Sequence, residues 1–224
     1  MALAIHRCSK PTIVALQGSA VGVGMTMGLP AVARCVLPPS PCTLIIACGS
    51  TGKKANGCRI AHSTSKYGFV FGRRGLVMES CSSYFLPRLI GQSRAMYLAS
   101  TGGVYPPTAP AFGSLFIETY PEKDRVVSRA LEIATDIAKN VSSLSGRLNR
   151  ALLWRGPESA EEAHLLESRV LYHMFRGKDQ KEGIGSFLEK RQADFKADVF
   201  EDAPPGVPWW TEVDIERKVK RAKL

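Results

Sequence analysis

What this sequence lacks excludes several common protein classes. No two of its six cysteines have the CxxC spacing of a zinc site or redox motif, and no secretory signal pattern precedes them, so we expect reduced thiols and no metal site. The longest apolar run, at 43–48, is too short to span a bilayer. The net charge of +10 comes without zinc-finger spacing, an RNP motif or interleaved aromatic and basic residues. We therefore expect neither a membrane nor a nucleic acid as partner.

The composition is that of an ordinary globular chain. Its 224 residues suffice for one domain with a substantial core, and 45% hydrophobic with 22% charged residues is typical of such domains. The basic residues are scattered and are densest in the last eight positions, 217–224. This positive charge suits a ligand that carries several phosphates, or it serves solubility alone.

Residues 10–28 contain a glycine-rich turn between a predicted strand and a predicted helix. The strand is Thr12–Leu16, and Gly18, Gly22 and Gly24 follow it. Glycines let the backbone approach a ligand closely, and N–H groups at such a turn can stabilise developing negative charge. The alternative is a turn that needs glycine only for packing. The spacing differs from G-x-G-x-x-G, which argues against a dinucleotide site.

One carboxylate, Glu79, lies between an apolar loop and a predicted helix in residues 75–89. Leu76, Val77 and Met78 precede it, and small residues at 80–83 follow. An acid at this junction can cap free N–H groups of the helix. In an apolar pocket it is a candidate general base instead. The residues alone leave both interpretations open.

Together these stretches resemble the crotonase superfamily, which includes enoyl-CoA hydratases and isomerases. Residues 4–24 are similar to its central strand and oxyanion segment, 65–91 to its acid-bearing strand, loop and helix, and 181–195 to its C-terminal helix. The resemblance covers 4–34 and 60–200. It implies an α/β fold, in which a ββα spiral core is followed by a helical C-terminal region that forms trimers.

The resemblance also implies roles for residues of the site. Backbone N–H groups at Gly22 and Val23 would hold the enolate oxygen of an acyl-CoA thioester. Glu79 matches the position of the single base in Δ3,Δ2-enoyl-CoA isomerases. The two positions that carry the glutamates of hydratases hold Thr26 and Phe71, and neither transfers a proton at neutral pH. A standard two-glutamate hydratase is therefore not expected.

Ligands and partners follow from the same resemblance. Phe187 and Lys190 match positions that contact coenzyme A, with Lys190 near its phosphates, although a solvated helix lysine is the alternative there. We expect no cofactor beyond the coenzyme A of the substrate. The expected partners are an acyl-CoA and further copies of the chain in a homotrimer or hexamer.

Two departures from the family concern the N-terminus and residues 35–58. Relatives usually carry a β-rich segment before the first strand, with one oxyanion N–H, whereas nine residues precede Lys10 here. We expect an incomplete core in which Thr12–Leu16 presents an unpaired edge. Residues 35–58 resemble nothing in the family and hold four of the six cysteines. We interpret them as a translated intron, with a surface loop as the alternative; sequencing the cDNA distinguishes the two.

The remaining pattern is mainly helical. Helices are predicted at 93–100, 124–139, 142–154, 157–175 and 185–199, with a turn at 107–112 and a short strand at 115–118. Residues 1–122 thus form the partial core, with 35–58 as an atypical insertion. Residues 123–200 form the C-terminal helical region, and 201–224 form a tail.

The predicted function is that of an enoyl-CoA isomerase or hydratase, acting by enolate stabilisation and proton transfer in fatty-acid β-oxidation or secondary metabolism. The alternative is a non-catalytic or degenerate family fragment that binds acyl-CoA or oligomerises. The last residues, Ala222, Lys223 and Leu224, match the pattern of the C-terminal S-K-L address, which predicts peroxisomal localisation and an import receptor as partner. A basic tail that ends in leucine by chance is the alternative.

Overall fold

The computed structural model describes residues 2–9, 12–31, 44–47 and 59–215, which contain two small β-sheets and eight α-helices. The strands of the larger sheet lie in the order β3 (Leu44–Ala47), β1 (Thr12–Leu16), β4 (Arg59–His62) and β7 (Glu118–Tyr120). Neighbours among β1, β4 and β7 run parallel, whereas β3 is antiparallel to β1. The smaller sheet contains β2 (Ala20–Val21), β5 (Tyr67–Gly68) and β6 (Val104–Tyr105).

Strand β1 lies at the centre of the core, and all five of its residues are buried. Val14 and Leu16 belong to one apolar cluster, with Phe69 and Phe85 among its members. Ile13 and Ala15 belong to another, formed with Val126, Ala130 and Ala134 of helix α5 (Lys123–Asn140). Successive strand residues point to opposite faces, so a strand covered on both faces needs the continuous apolar run seen here.

The edge of β1 is paired, and the expectation of a free edge was wrong. β3 pairs with β1 in a register that runs from Thr12 opposite Ala47 to Ala15 opposite Leu44, while β4 pairs with its other edge. β3 lies inside residues 35–58, where the sequence had too short a period to predict a strand. Four consecutive apolar residues suffice for a strand beside a buried neighbour. Whether 35–58 derives from an intron stays a prediction.

Seven further helices lie before, between and after these strands along the chain. They are α1 (Ala2–Arg7), α2 (Val23–Thr26), α3 (Ser82–Ile90), α4 (Gln92–Thr101), α6 (Ser143–Arg155), α7 (Ala160–Met174) and α8 (Lys178–Leu188). Helices α4 to α7 agree with the predicted ranges within a few residues. The side chains of Ser142 and Ser159 accept backbone N–H groups at the starts of α6 and α7, which explains where these helices begin. The strand predicted at 115–118 forms at Glu118–Tyr120 instead, because Leu115 is used as a buried core residue.

The last helix differs from its predicted range of 185–199. α8 spans Lys178–Leu188, and Lys190 has a left-handed φ of 53° that takes the chain out of the helix. Beyond it the chain turns back, because the buried carboxylate of Asp179 accepts the N–H groups of Lys196 and Ala197 at 2.8 Å each. These two hydrogen bonds join residues 17 and 18 positions apart in the sequence. Helical periodicity detects only neighbours three or four positions apart, so it does not predict where α8 ends.

Candidate active site

Helix α2 starts at the glycine-rich turn, directly after Gly22. Gly22 has φ 54° and ψ −125°, a conformation that strains a residue with a Cβ. Its N–H donates to Gly68 O at 3.1 Å and so belongs to the smaller sheet. The N–H of Val23 is used by no hydrogen bond of the described residues, and Val23 is 51% exposed. Of the two predicted oxyanion positions, Val23 is therefore the one with an open donor.

A strained turn sets the position of Glu79. Ser80 and Cys81, directly before α3, have left-handed φ values of 54° and 60°. Residues other than glycine adopt this region rarely, at a cost of about 1–3 kcal/mol each. Ser82 closes the turn, since its N–H and hydroxyl donate to Glu79 O at 2.9 and 2.6 Å. No side chain caps α3, so the carboxylate of Glu79 does not serve as its cap.

The carboxylate of Glu79 is hydrogen-bonded to α2 instead. The Thr26 hydroxyl donates to Oε1 and the Ser80 hydroxyl donates to Oε2. Thr26 Oγ1 also lies 3.4 Å from Val23 O, which is long for an O–H···O bond, so its single proton serves the carboxylate. An ionised carboxylate has about four acceptor sites, so each oxygen of Glu79 keeps one for a further partner.

The side chain of Phe71 lies beside Gly22, the residue directly before α2. This side chain is buried, and its Cε1 lies 3.8 Å from where a Cβ would sit on Gly22. Thr26 and Phe71, the two positions that the resemblance assigns to the glutamates of hydratases, are thus both close to the first turn of α2. Within the described ranges, Glu79 is the acid whose side chain is hydrogen-bonded to that helix. The arrangement provides one carboxylate, one open N–H and one buried aromatic side chain.

The two predicted coenzyme A contacts lie elsewhere on the chain. Phe187 is 81% exposed near the end of α8, and Lys190 is exposed just after it. The buried contact of α8 runs from Asp179 to Ser142, between α5 and α6. No hydrogen bond among the described residues joins α8 to Glu79 or α2. Among the described residues of one chain, the structure therefore shows no hydrogen-bonded link between the acid and Phe187 or Lys190.

Sequence reasoning missed two residues that hold the site. Ser80 binds the carboxylate of its own neighbour, and a hydroxyl beside the acid was the available signal. Arg59 is buried and donates from Nε to Gly28 O at 3.3 Å and from a terminal nitrogen to Leu29 O at 2.6 Å, which fixes the chain just after α2. No sequence signal links these positions. The predicted address Ala222, Lys223 and Leu224 lies outside the described residues.

In the described ranges, no three or more His, Cys, Asp or Glu side chains are grouped so that they could hold a metal ion. None of the helices in those ranges combines the length and the apolar character needed to cross a membrane.

Comparison with known proteins identifies the class to which this fold and site belong. Residues 46–198 match the family model described as enoyl-CoA hydratase/isomerase. The chain therefore belongs to the enoyl-CoA hydratase/isomerase family, within the crotonase superfamily.

Individual relatives agree with this assignment. The chain is 43% identical over 207 residues to enoyl-CoA hydratase AFT3-1 of Alternaria alternata. The aligned region covers 92% of this chain and 62% of the relative. It is 26% identical over 197 residues to the mevalonyl-coenzyme A hydratase SIDH of Beauveria bassiana, covering 87% and 61%. The chain thus spans about three fifths of the length of these relatives.

A solved structure supports the fold. The probable enoyl-CoA hydratase/isomerase of Mycobacterium abscessus superposes with a TM-score of 0.70 and 26% identity, covering 87% of this chain and 69% of that one. The crotonase-like α/β fold with a helical C-terminal region, predicted from the sequence, is confirmed.

Proposed function

We propose that this chain carries the acid–base machinery of an enoyl-CoA isomerase, with Glu79 as the single base. The observation that carries the proposal is the hydrogen bond from Thr26 to the Glu79 carboxylate, which holds the acid against the helix that presents the Val23 N–H. The hydratase positions, Thr26 and Phe71, supply no second acid.

The reaction needs only one group that takes and returns a proton. The carboxylate of Glu79 removes a proton from C2 of a 3-enoyl-CoA, and the electron pair moves into the thioester carbonyl to give a dienolate. The oxygen of this dienolate accepts the Val23 N–H, which stabilises the developing negative charge. The protonated Glu79 then returns the proton at C4, and the double bond lies between C2 and C3. Atoms and charge balance without a cofactor.

Hydration is the second candidate, because the relatives AFT3-1 and SIDH are both named as hydratases. In that reaction Glu79 would orient and deprotonate a water molecule that adds across a 2-enoyl-CoA. The two reactions differ in product mass, because hydration adds one water and isomerisation adds nothing. Mass spectrometry of the products from 3-enoyl-CoA and 2-enoyl-CoA therefore separates them.

The test of Glu79 is the variant Glu79→Gln, which keeps the shape of the side chain but removes its ability to accept the proton. We expect turnover to fall by at least about a hundredfold, since general-base catalysis contributes about 10²–10⁴ in rate. Acyl-CoA binding and the circular dichroism spectrum should stay unchanged. Glu158→Gln, at an exposed site, is the matched control. Turnover above about a hundredth of the wild-type value would exclude Glu79 as the base. Binding without turnover in the unaltered chain would favour the non-catalytic alternative.

The proposal extends to assembly and localisation. Leu153 on α6 and Leu165 on α7 are 86% and 69% exposed, which suits contacts between copies in a homotrimer or hexamer. The terminal Ala222, Lys223 and Leu224 support import into peroxisomes by a receptor. Phe187 and Lys190 remain the proposed contacts for coenzyme A, and their exposure suits a ligand bound near the end of α8.

A further inference from the structure

A polar pocket lies away from Glu79, where α1 meets α6 and the segment that follows α8. Its volume is about 240 Å³. Four arginines line it, namely Arg7 from α1, Arg147 and Arg150 from α6, and Arg155 at the end of α6. Phe200 and Trp210 also line it.

The positive charge in this pocket is poorly compensated. Among the described residues of the lining, Glu212 is the one carboxylate beside four guanidinium groups. None of the four arginines is in a salt bridge with a carboxylate of the described chain. Asp198 adds a negative field at Arg147, and burial lowers the pKa of both Arg147 and Arg150. His6, also in the lining, has a pKa lowered to about 4 by burial and by the field of Arg150, Arg155 and Arg7, so at neutral pH it adds no charge.

Buried polar atoms without partners concentrate at the same place. Four such side-chain atoms occur in the described residues, and three of them belong to residues of this lining: His6 Nδ1, Arg150 Nε and Trp210 Nε1. Two of these are N–H donors, and a buried donor without an acceptor costs free energy. A single ligand with several hydrogen-bond acceptors would supply the acceptors that these two donors lack.

Contacts with the backbone hold the arginines in place. Arg150 donates to His6 O at 2.6 Å and to Cys8 O at 2.8 Å, which fixes the end of α1 on α6. Arg7 donates to Val213 O at 2.9 Å, and Arg147 donates to Val199 O. Arg155 stacks on the Trp210 ring, 4.5 Å from its centroid. Each guanidinium has five N–H donors, so these contacts leave most of them for a ligand.

We infer that this pocket binds a phosphate group, held by the guanidinium groups of Arg7, Arg147 and Arg155 in the field of Arg150. Phosphate fits better than a carboxylate because the lining carries an excess of three positive charges, and a phosphate monoester brings nearly two negative ones. Arginine forks also match the oxygen geometry of phosphate.

Two kinds of ligand carry such a phosphate group. One is free phosphate or a phosphate monoester unrelated to the reaction. The other is a phosphate of the acyl-CoA substrate, because an adjoining cleft of about 280 Å³ shares His6 and Arg155 with the pocket and reaches Cys81, two residues after Glu79. The second source rests on the proposed function, whereas the site itself does not.

The test measures binding of inorganic phosphate to the full chain by calorimetry at constant ionic strength, with chloride as the balancing salt. We expect one phosphate to bind per chain. Binding should also raise the pKa of His6, measured by NMR titration, because the anion offsets the positive field of the arginines. Arg155→Gln should weaken binding by about tenfold or more. Arg7→Gln, which changes an exposed side chain, should do the same if Arg155→Gln fails to fold. Arg169→Gln, an equal charge change on the exposed face of α7, is the control.

Four outcomes are decisive. Absence of phosphate binding above the chloride baseline, or equal binding by the Arg155→Gln and Arg169→Gln variants, would overturn the site. Competition between phosphate and coenzyme A would support the site and assign the phosphate to the substrate. Binding of phosphate without such competition would support it and assign a free phosphate. None of these measurements depends on turnover, so failure of the isomerase proposal leaves the test intact.

Discussion

The Thr26 hydroxyl donates a hydrogen bond to the carboxylate of Glu79, a residue 53 positions further along the chain. This bond joins the helix that carries the open Val23 N–H to the loop that carries the acid. Under the proposed function, Thr26 is therefore a positioning residue for the acid.

Removing that hydroxyl should slow catalysis without unfolding the chain. Thr26→Val keeps the buried volume but leaves Oε1 of Glu79 without its donor, and we expect kcat to fall by about tenfold to a hundredfold with little change in KM. Thr26→Ser restores the hydroxyl and should recover most of the rate. Steady-state kinetics of both variants provide the check. Equal rates for valine and serine would show that the hydroxyl does not position the acid.

The strained turn before α3 should respond to glycine. Cys81 has a φ of 60°, so a Cβ is unfavourable there, and Cys81→Gly should be more stable than Cys81→Ala by about 1 kcal/mol. Urea unfolding of the two variants measures this difference. Both remove the thiol, so the comparison isolates the backbone effect. If alanine proves as stable as glycine, the turn is not strained at this residue.

Stability should decrease in acid because of His6. Its pKa is lowered from 6.5 to about 4 in the folded chain by burial, with Arg150, Arg155 and Arg7 adding to the effect. As the pH falls, the unfolded chain takes up this proton before the folded chain does. The stability that comes from neutral His6 is therefore fully present above about pH 6.5 and decreases toward pH 4. The unfolding free energy of the wild type should therefore fall relative to that of His6→Gln as the pH is lowered over this range. A constant difference would contradict the lowered pKa.

Asp179 should be a stability residue rather than a catalytic one. It is 4% exposed and accepts the Ser142 hydroxyl at 2.6 Å and two backbone N–H groups after α8. Asp179→Ala leaves these donors unpaired, and we expect a loss of about 2–4 kcal/mol in urea unfolding. Glu189→Ala, at an exposed site near the end of the same helix, should cost less than about 1 kcal/mol. Similar losses for both variants would argue against the role of Asp179.

The last three residues should direct a fluorescent reporter to peroxisomes. Ala222, Lys223 and Leu224 match a receptor-read address, so fusing them to the end of the reporter should give punctate signal that coincides with a peroxisomal marker. The same reporter without Leu224 is the control and should stay diffuse. Diffuse signal from both reporters would remove the localisation proposal.

The sequence predicted those parts of the fold that depend on local patterns. β1 and α5 were predicted nearly to their ends, because a continuous apolar run and a strong helical stripe each specify one structure. Glu79 was found because the loop and helix around it resemble a family. The end of α8 was not predictable, because Asp179 captures backbone from beyond Lys190 through a tertiary contact.

The internal geometry of the candidate site was less predictable than its location. Thr26 was noted only as a residue that transfers no proton, because nothing local links it to an acid 53 residues away. Gly22 was paired with Val23 as an oxyanion donor. Only the sheet register shows that its N–H is already bonded to Gly68.

The contact between Arg59 and the carbonyls of Gly28 and Leu29 makes the register of β4 a determinant of the active site. A shift of Arg59 along its strand would pull on the chain just after Thr26, and so on the group that holds Glu79. A transcript that retains codons 35–58 and one that lacks them would differ in the residues that they encode before Ile60. If splicing joins Ala33 through a single arginine to Ile60, an arginine still precedes Ile60, as it does in the longer chain. Both transcripts would then encode the same anchor, and the acid would have the same support in either protein.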